Sequence, residues 1–240
     1  MDKNCLIIQP GAFGDIILCA PIAKIYSDNG YKVYWPITTK FLSTIQRFEY
    51  VTPIVLDDRN LDPDWLRSDV IKCLEYKYDI DFDIILNLAD RGPHPMAEKP
   101  GENFELCKYR LSNIPIEYKH HLSWKRNIEK ENALYDSLIK ENKYILAHLE
   151  SSRGDIANLP NHLSLPIVEV KPIDGFDIFD WFKIIINASE IYCVESSVHQ
   201  FMDGILEHLQ NTPKYLLSRS TLGNLKRYTY SPYWKNDYLK

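Results

Sequence analysis

Two stretches of the 240-residue chain place an acidic side chain beside glycine or serine just after an apolar run. The first is Gly11-Ala12-Phe13-Gly14-Asp15, and the second is Glu195-Ser196-Ser197, which His199 follows two residues later. A carboxylate can accept the proton of a substrate hydroxyl. Hydroxyls and unpaired backbone N–H groups at the start of a helix bind phosphate. The two stretches therefore offer a proton acceptor and an anion-binding site.

The first stretch is typical of a strand, a glycine turn and a helix in succession. Residues 5–8 are apolar, and after Asp15 apolar residues recur at helical spacing as far as Tyr26. Gly11 and Gly14 allow a close backbone approach, and Asp15 suits the positive end of a helix dipole. From these residues alone, a simple helix-capping role for Asp15 is an equally good interpretation. The spacing matches neither a dinucleotide-binding fingerprint nor a P-loop.

The second stretch repeats this order in the C-terminal half of the chain. Residues 191–194 predict a strand, and Glu195, Ser196 and Ser197 open a helix that carries His199. The start of that helix could hold a phosphate. A serine-capped helix with a buried histidine explains the same residues without any ligand.

Two more polar loops each follow a predicted strand, at residues 144–149 and 82–88. In open parallel sheets, ligands bind beyond the carboxyl ends of the strands. Side chains in these loops are therefore candidates for contact with a substrate. They are Ser151, Ser152 and Arg153 in one loop, and Asp90, Arg91 and His94 in the other.

The elements that must position these residues alternate between strand and helix, which indicates parallel sheets covered on both faces. The predicted fold class is therefore α/β, with two Rossmann-like halves. A charged amphipathic segment between them predicts a connecting helix. The predicted divisions are an N-terminal domain at 1–122, the connecting helix at 123–142, a C-terminal domain at 143–223 and a basic aromatic tail at 224–240.

Four places in the chain resemble the heptosyltransferase-like (family 9) glycosyltransferases, and they occur in the order found in that family. One is the Gly-x-x-Gly-Asp turn after a strand, with Pro21 in the helix that follows. The others are the strand and loop at 82–92, the strand and loop at 144–154, and the segment from Gly175 through Ala188 that leads to Glu195-Ser196-Ser197 and His199.

This resemblance implies a GT-B fold, in which two Rossmann-like halves face a cleft. It implies an enzyme that moves a sugar from a nucleotide-diphosphate donor to an acceptor hydroxyl, with inversion. We expect no metal or other cofactor, because the hydroxyls, the arginine and the helix start of the donor site could supply the positive field that the diphosphate needs. Asp15 would be the catalytic base. The expected donor-binding residues are Gly14, Ser151, Ser152, Arg153, Glu195, Ser196, Ser197 and His199, and Asp90, Arg91 and His94 are expected to contact the acceptor.

The composition is that of an ordinary globular protein, with 45% hydrophobic residues, 25% charged residues and a formal net charge of −5. No apolar run approaches the ~20 residues of a membrane span. The five cysteines are scattered and the first four residues are no signal peptide, which together predict a cytoplasmic protein. We expect His120 and His121 to be surface residues, and no metal site at Asp79, Asp81 and Asp83.

The segment 214–240 carries six basic residues, one acidic residue and six aromatic residues. Such a segment can bind a polyanion or stack on bases, although an aromatic C-terminal helix that packs on the acidic remainder of the chain is the favoured interpretation. The expected acceptor is accordingly a glycan or a hydroxylated base in viral DNA. A nucleotide-sugar epimerase and a non-catalytic nucleotide- or sugar-binding module are the alternative functions.

Overall fold

A computed structural model describes residues 3–9, 11–56, 74, 77, 79–89, 102–151, 154, 156–217 and 232–237. The chain forms two compact units, which divide between Lys125 and Arg126. The boundary lies inside the segment predicted as a connecting helix. The helix found there belongs with the second unit.

The first unit contains a four-stranded sheet in which every pairing is parallel. Its strands follow the order β3-β2-β1-β4, so the chain builds outward from β1 and then returns to the other side of it. The last four residues of β1 are buried, which makes this strand the centre of the apolar core. The strands are β1 Lys3–Ile8, β2 Tyr31–Thr38, β3 Val51–Leu56 and β4 Ile84–Asn87.

Helices cover this sheet, and the helix after β1 is the most deeply buried. It buries eight consecutive residues, from Ile16 to Ala23, because it packs on the sheet and on other helical elements. The helices that the structure describes over their full length in this unit are α1 Phe13–Asp28, α2 Leu42–Ile45 and α3 Phe104–Leu111, with short 3₁₀ turns at Thr39–Phe41 and Ile116–His120.

Helix α3 buries a polar face rather than an apolar one. Glu105, Lys108, Tyr109 and Ser112 are each at most 2% exposed, and their spacing of three and four residues places them on one side of the helix. Buried polar groups are costly unless they are paired. Glu105 accepts a hydrogen bond of 2.6 Å from the ammonium of Lys119, which the following 3₁₀ turn supplies.

The second unit contains a five-stranded parallel sheet in the order β6-β5-β7-β8-β9. Its strands are β5 Ile145–His148, β6 Ile167–Glu169, β7 Glu190–Val194, β8 Lys214–Leu217 and β9 Lys235–Asp237. Within the described residues its helices are α4 Ile128–Leu138, α5 Phe182–Ile186 and α6 Ser197–Gly204, with 3₁₀ turns at Ile178–Trp181 and Leu206–Leu209. Helix α4 packs on the Ile178–Trp181 turn and on α5.

The residues on either side of the boundary between the units form side-chain contacts within their own unit. The hydroxyl of Tyr50 donates to the carbonyl of Ser123 at 2.9 Å, and Lys125 forms a salt bridge with Glu49 at 2.8 Å. On the other side, the guanidinium of Arg126 donates to both carboxylate oxygens of Glu131 at 2.9 and 2.5 Å. The polypeptide is therefore fixed on both sides of one peptide bond.

The prediction of two α/β halves with parallel sheets is confirmed, but several local predictions differ from the structure. The expected surface position of His120 is wrong, because this residue is 7% exposed at the end of a 3₁₀ turn. The sequence also predicts a helix over 179–188, where the structure has a 3₁₀ turn followed by five residues of α-helix. Strand β9 was not predicted, because three polar residues carry no strand pattern. The sequence also predicts a helix over 65–76, and this segment lies almost entirely outside the described residues.

None of the described helices combines the length and the apolar character that a membrane crossing requires.

The buried pair between Glu105 and Lys119 gives a test of the α3 packing. Lys119→Met should lower the free energy of unfolding in urea by about 3–5 kcal/mol, because it leaves a buried carboxylate without its cation. The matched control is Lys125→Met, whose pair with Glu49 has side chains 67% and 65% exposed. That control should cost less than about 1 kcal/mol. Equal losses in the two variants would show that the α3 pair is not buried as described.

Candidate functional site

The reversal of strand order in each sheet marks where a ligand would bind. In open α/β sheets, ligands occupy the crevice at the carboxyl ends of the two strands beside which the order reverses. In the first unit these strands are β1 and β4, and in the second they are β5 and β7. The predicted site residues that the structure describes follow β1, β5 and β7.

Asp15 lies in the first turn of α1, directly beyond the end of β1. The N-cap of this helix is Ala12, which makes no side-chain capping bond, so Asp15 is not the N-cap residue. The Asp15 side chain is 20% exposed, while its Oδ1 atom is buried. A carboxylate that is partly open to solvent at the end of a central strand has the placement that a proton acceptor needs.

The turn that leads to Asp15 is held by Gln9, a residue 1% exposed at the end of β1. The indole N–H of Trp35 donates to the carbonyl of Gln9 at 2.8 Å, and the Gln9 amide donates to the carbonyl of Gly11. A Cβ atom on Gly11 would lie 2.9 Å from the ring of Phe41, so a larger residue there would displace the ring. The backbone path before Asp15 is therefore closely constrained.

Lys108 of α3 completes this cluster. Its ammonium donates to Oε1 of Gln9 at 2.8 Å and to the carbonyl of Leu88, which directly follows β4. The same ammonium lies 3.4 Å from Oδ1 of Asp15. One buried cation therefore spans the crevice between β1 and β4 and pairs with the candidate base.

The sequence predictions did not include Gln9 or Lys108. A signal for Gln9 was present, since it is the polar residue that ends an apolar strand directly before the glycine turn. A signal for Lys108 was present only in the spacing of Glu105, Lys108, Tyr109 and Ser112, which matches one helix face. Because buried helix faces are predicted from the spacing of apolar residues, a buried face built from polar residues gives no such signal.

In the second unit, Ser151 and residues 195–197 lie at the same edge of the sheet. Strands β5 and β7 pair directly and in parallel, so the residues that follow them are neighbours. Ser196 is the N-cap of α6, and its hydroxyl accepts a hydrogen bond from the backbone N–H of His199 at 3.2 Å. Ser197 is partly exposed in the first turn. Ser151 is 3% exposed and Glu195 is 9% exposed.

His199 is completely buried and packs on the described part of the C-terminal tail. Its ring centroid lies 4.7 Å from that of Trp234 in an edge-to-face arrangement. The indole N–H of Trp234 donates to Oδ1 of Asp203 at 2.9 Å, which joins the tail to the other end of α6. Strand β9 follows and pairs with β8. The described part of the tail thus packs in the second unit, as favoured, but Lys235–Asp237 form a strand rather than part of the predicted helix.

His148 ends strand β5 at the same edge of the sheet. Burial lowers the pKa of this imidazole, against the opposing effects of a hydrogen bond with the carbonyl of Val170 and the charges of Glu169 and Glu150. The Nδ1 atom of the ring lies 3.3 Å from that carbonyl. His148 is therefore neutral near pH 7 and contributes a hydrogen-bonding ring rather than a fixed positive charge.

Several predicted site residues lie outside the described residues, namely Ser152, Arg153, Asp90, Arg91 and His94. Gly14 is described and occupies the second position of α1, next to Asp15. Within the part of the chain that the structure describes, no group of three or more His, Cys, Asp or Glu side chains is arranged to hold a metal ion.

Comparison with known proteins gives a clear result at the level of structure. The chain matches the E. coli heptosyltransferase WaaC with ADP-2-deoxy-2-fluoro heptose at a TM-score of 0.57, over 98% of this chain and 92% of that one. The fold is that of GT-B glycosyltransferases. The family 9 glycosyl transferase of Veillonella parvula matches at 0.56, over 90% of this chain and 81% of that one.

Sequence similarity to these proteins is low. Both are 11% identical to this chain, as is the E. coli ADP-heptose lps heptosyltransferase II, which matches at a TM-score of 0.50 over 90% of this chain and 84% of that one. No family model and no curated protein matches the sequence. The comparisons therefore establish the fold alone.

Trp234→Phe tests whether the tail stabilises helix α6. Phenylalanine can still pack on His199, but it cannot donate to Asp203, which is 1% exposed. Loss of a donor to a buried carboxylate should lower the free energy of unfolding by about 1–3 kcal/mol, measured by urea denaturation. The control is Tyr233→Phe on the preceding residue, which is 56% exposed. If both variants were as stable as the wild type, the bond to Asp203 would not contribute to the packing of the tail.

Proposed function

We propose that the protein is a glycosyltransferase that moves a sugar from a nucleotide-diphosphate donor to an acceptor hydroxyl. The observation that carries this proposal is the placement of Asp15 and of the start of α6. Each lies at the carboxyl ends of central strands, where the strand order of its own sheet reverses. The first unit thus offers a carboxylate, and the second offers an anion-binding helix start, which are the two groups that this transfer requires.

In the proposed reaction, Asp15 is the catalytic base. The acceptor oxygen attacks the anomeric carbon while the bond from that carbon to the diphosphate oxygen breaks. The hydroxyl proton passes to Asp15, and the diphosphate leaves with the electrons of the broken bond. Attack from the side opposite the leaving group inverts the anomeric centre.

The diphosphate is proposed to bind at the edge formed by β5 and β7. The hydroxyls of Ser151, Ser196 and Ser197 and the backbone N–H groups at the start of α6 would contact its oxygens. These groups stabilise negative charge most strongly when the diphosphate leaves, so the same contacts serve binding and catalysis. We include Ser152, Arg153 and Glu195 in the proposed donor site on sequence grounds. His199 is completely buried against Trp234, so in this proposal it supports the start of α6 from behind rather than contacting the donor. The reaction then proceeds without a metal ion.

The surroundings of Asp15 determine when the proton moves. A helix N-terminus and a nearby ammonium both favour the carboxylate form, so Asp15 is ionised but weakly basic. The acceptor hydroxyl becomes more acidic as its bond to the anomeric carbon forms. Proton transfer is therefore late, after the bond to the diphosphate has largely broken.

The proposed acceptor is a hydroxyl of a glycan. Modification of a hydroxylated base in DNA was the second expectation, based on the basic aromatic tail. In the described part of that tail, Trp234 is buried and the ammonium of Lys235 lies 5.4 Å from the ring centroid of Tyr215. Because Trp234 is buried, it is not available to stack on a base, and this removes one of the features on which the expectation of a DNA acceptor was based.

Asp15→Asn tests the role of the base. The amide preserves the size of the side chain but cannot accept the proton, so turnover should fall by roughly two to four orders of magnitude. Donor affinity should change little, because donor binding is assigned to the other unit. The assay follows nucleoside diphosphate release from a panel of nucleotide sugars, beginning with ADP-sugars, with glycan acceptors present. An Asp15→Asn protein with wild-type turnover would exclude this residue as the base, and donor conversion without an acceptor would identify an epimerase.

Ser197→Glu tests the diphosphate site without weakening the helix. A carboxylate in the first turn of α6 is favourable to the helix dipole but repels a bound diphosphate. Affinity for ADP, GDP and UDP, measured by calorimetry, should fall at least about tenfold for whichever nucleotide the wild type binds, since each ~1.4 kcal/mol of lost binding is tenfold. Ser43→Glu is the matched control, since Ser43 is exposed in the first turn of α2 in the first unit. Equal affinities in both variants would place the diphosphate elsewhere.

A further inference from the structure

The Lys108 side chain is the most unusual feature of the candidate site. It is 3% exposed, although lysine is almost never fully buried without a partner. Its ammonium has two uncharged acceptors, Oε1 of Gln9 and the carbonyl of Leu88, and it lies 3.4 Å from Oδ1 of Asp15. The two uncharged acceptors belong to the ends of neighbouring strands, so they fix the position of the ammonium.

Among the residues that the structure describes, Asp15 supplies the carboxylate that forms an ion pair with Lys108. The neighbouring carboxylate on the same face of α3, Glu105, is 2.6 Å from the ammonium of Lys119 and so has its own cation. The residues contributed here by β1 and β4 are an uncharged amide and a backbone carbonyl. A buried ammonium costs several kcal/mol unless it is paired, and an arrangement of that cost beside a candidate base points to a role in the site.

We propose that Lys108 is a positioning residue for Asp15, which keeps that carboxylate ionised and turns Oδ1 inward so that Oδ2 meets the acceptor hydroxyl. This inference rests on the proposed function for its catalytic consequence, but its electrostatic part concerns this chain alone. Oδ1 is buried whereas the Asp15 side chain retains 20% exposure, so the exposed part of the side chain excludes Oδ1. In this proposal the ammonium, 3.4 Å away, attracts the inner oxygen, which leaves Oδ2 as the oxygen available to the acceptor hydroxyl.

The ion pair with Lys108 fixes the orientation of the Asp15 carboxylate but lowers its basicity. A nearby cation makes the carboxylate a weaker base. Fixed orientation matters more when proton transfer is late, because a misplacement of about 1 Å can cost two orders of magnitude in rate. Lys108 is therefore expected to raise turnover through the position of Asp15 and to widen the acidic range in which Asp15 remains ionised.

The first test needs no substrate. The protein is labelled with ¹³C at the aspartate carboxyl carbons, and the Asp15 signal is identified by its absence in Asp15→Asn. Lys108→Met removes the charge at similar length, so the titration midpoint of Asp15 should rise by about one to three pH units. Lys24→Met is the matched control, because it removes an ammonium from a surface pair with Asp28 on α1 itself. That control should leave the Asp15 midpoint unchanged.

Lys108→Gln and Lys108→Arg complete the titration series. Lys108→Gln can still donate to the Leu88 carbonyl, so it replaces Lys108→Met if circular dichroism shows that the latter is unfolded. Lys108→Arg retains the charge and should restore a midpoint near that of the wild type. An unchanged midpoint in the charge-removing variant overturns the proposal. Failure of both uncharged variants to fold also overturns it, because Lys108 would then be a structural residue.

The second test is a double-mutant cycle on turnover. If Lys108 acts through Asp15, Lys108→Met should slow the wild type at least tenfold but should not slow the Asp15→Asn protein further. Independent effects in the two backgrounds would contradict the inference. If no nucleotide sugar is converted by the wild type, the proposed function fails by itself, while the carboxylate titration still decides whether Lys108 controls Asp15.

Discussion

The pairing of β1 with β4 forms the crevice in which the candidate base of the first unit lies. It places the end of β1 beside a strand that begins more than seventy residues later in the chain, and a side chain from another element bridges the carboxyl ends of the two strands. Lys108 makes that connection from a third element, with one hydrogen bond to each strand end. The glycine turn and the first turn of α1 then have little freedom, since Gln9 is fixed on one side and Phe41 lies close to Gly11 on the other.

The polar face of α3 shows how a costly arrangement becomes stable. Each charged group on this face has an opposite charge or a backbone partner within hydrogen-bonding reach. Its uncharged members are also engaged, since the Tyr109 hydroxyl donates to the carbonyl of Leu18 at 3.0 Å. A face of this kind fits only one neighbour in one register, because a shift would leave several buried groups unpaired at once. Specific docking, rather than burial of apolar area, is what this helix contributes.

Much of this organisation could be predicted from the sequence. The apolar run at 5–8, the glycine turn and the helical spacing beyond it are local features, and local features predicted β1, α1 and the placement of Asp15. The parallel halves followed from the alternation of strands and helices. The partners of Asp15 could not be predicted, since Lys108 lies 93 residues away and its orientation depends on how α3 docks. Burial of His120 and pairing of Lys235–Asp237 depend on tertiary packing in the same way.

The boundary between the units has a consequence for how such chains can diversify. Tyr50 and Glu49 hold the last residues of the first unit, and Glu131 holds the first residue of the second. A gene joined at the codons for Lys125 and Arg126 would therefore keep the contacts on both sides of the junction intact. Recombination at that point could exchange one whole unit and leave these contacts in place, so that new combinations arise by exchange of modules rather than by successive point mutations.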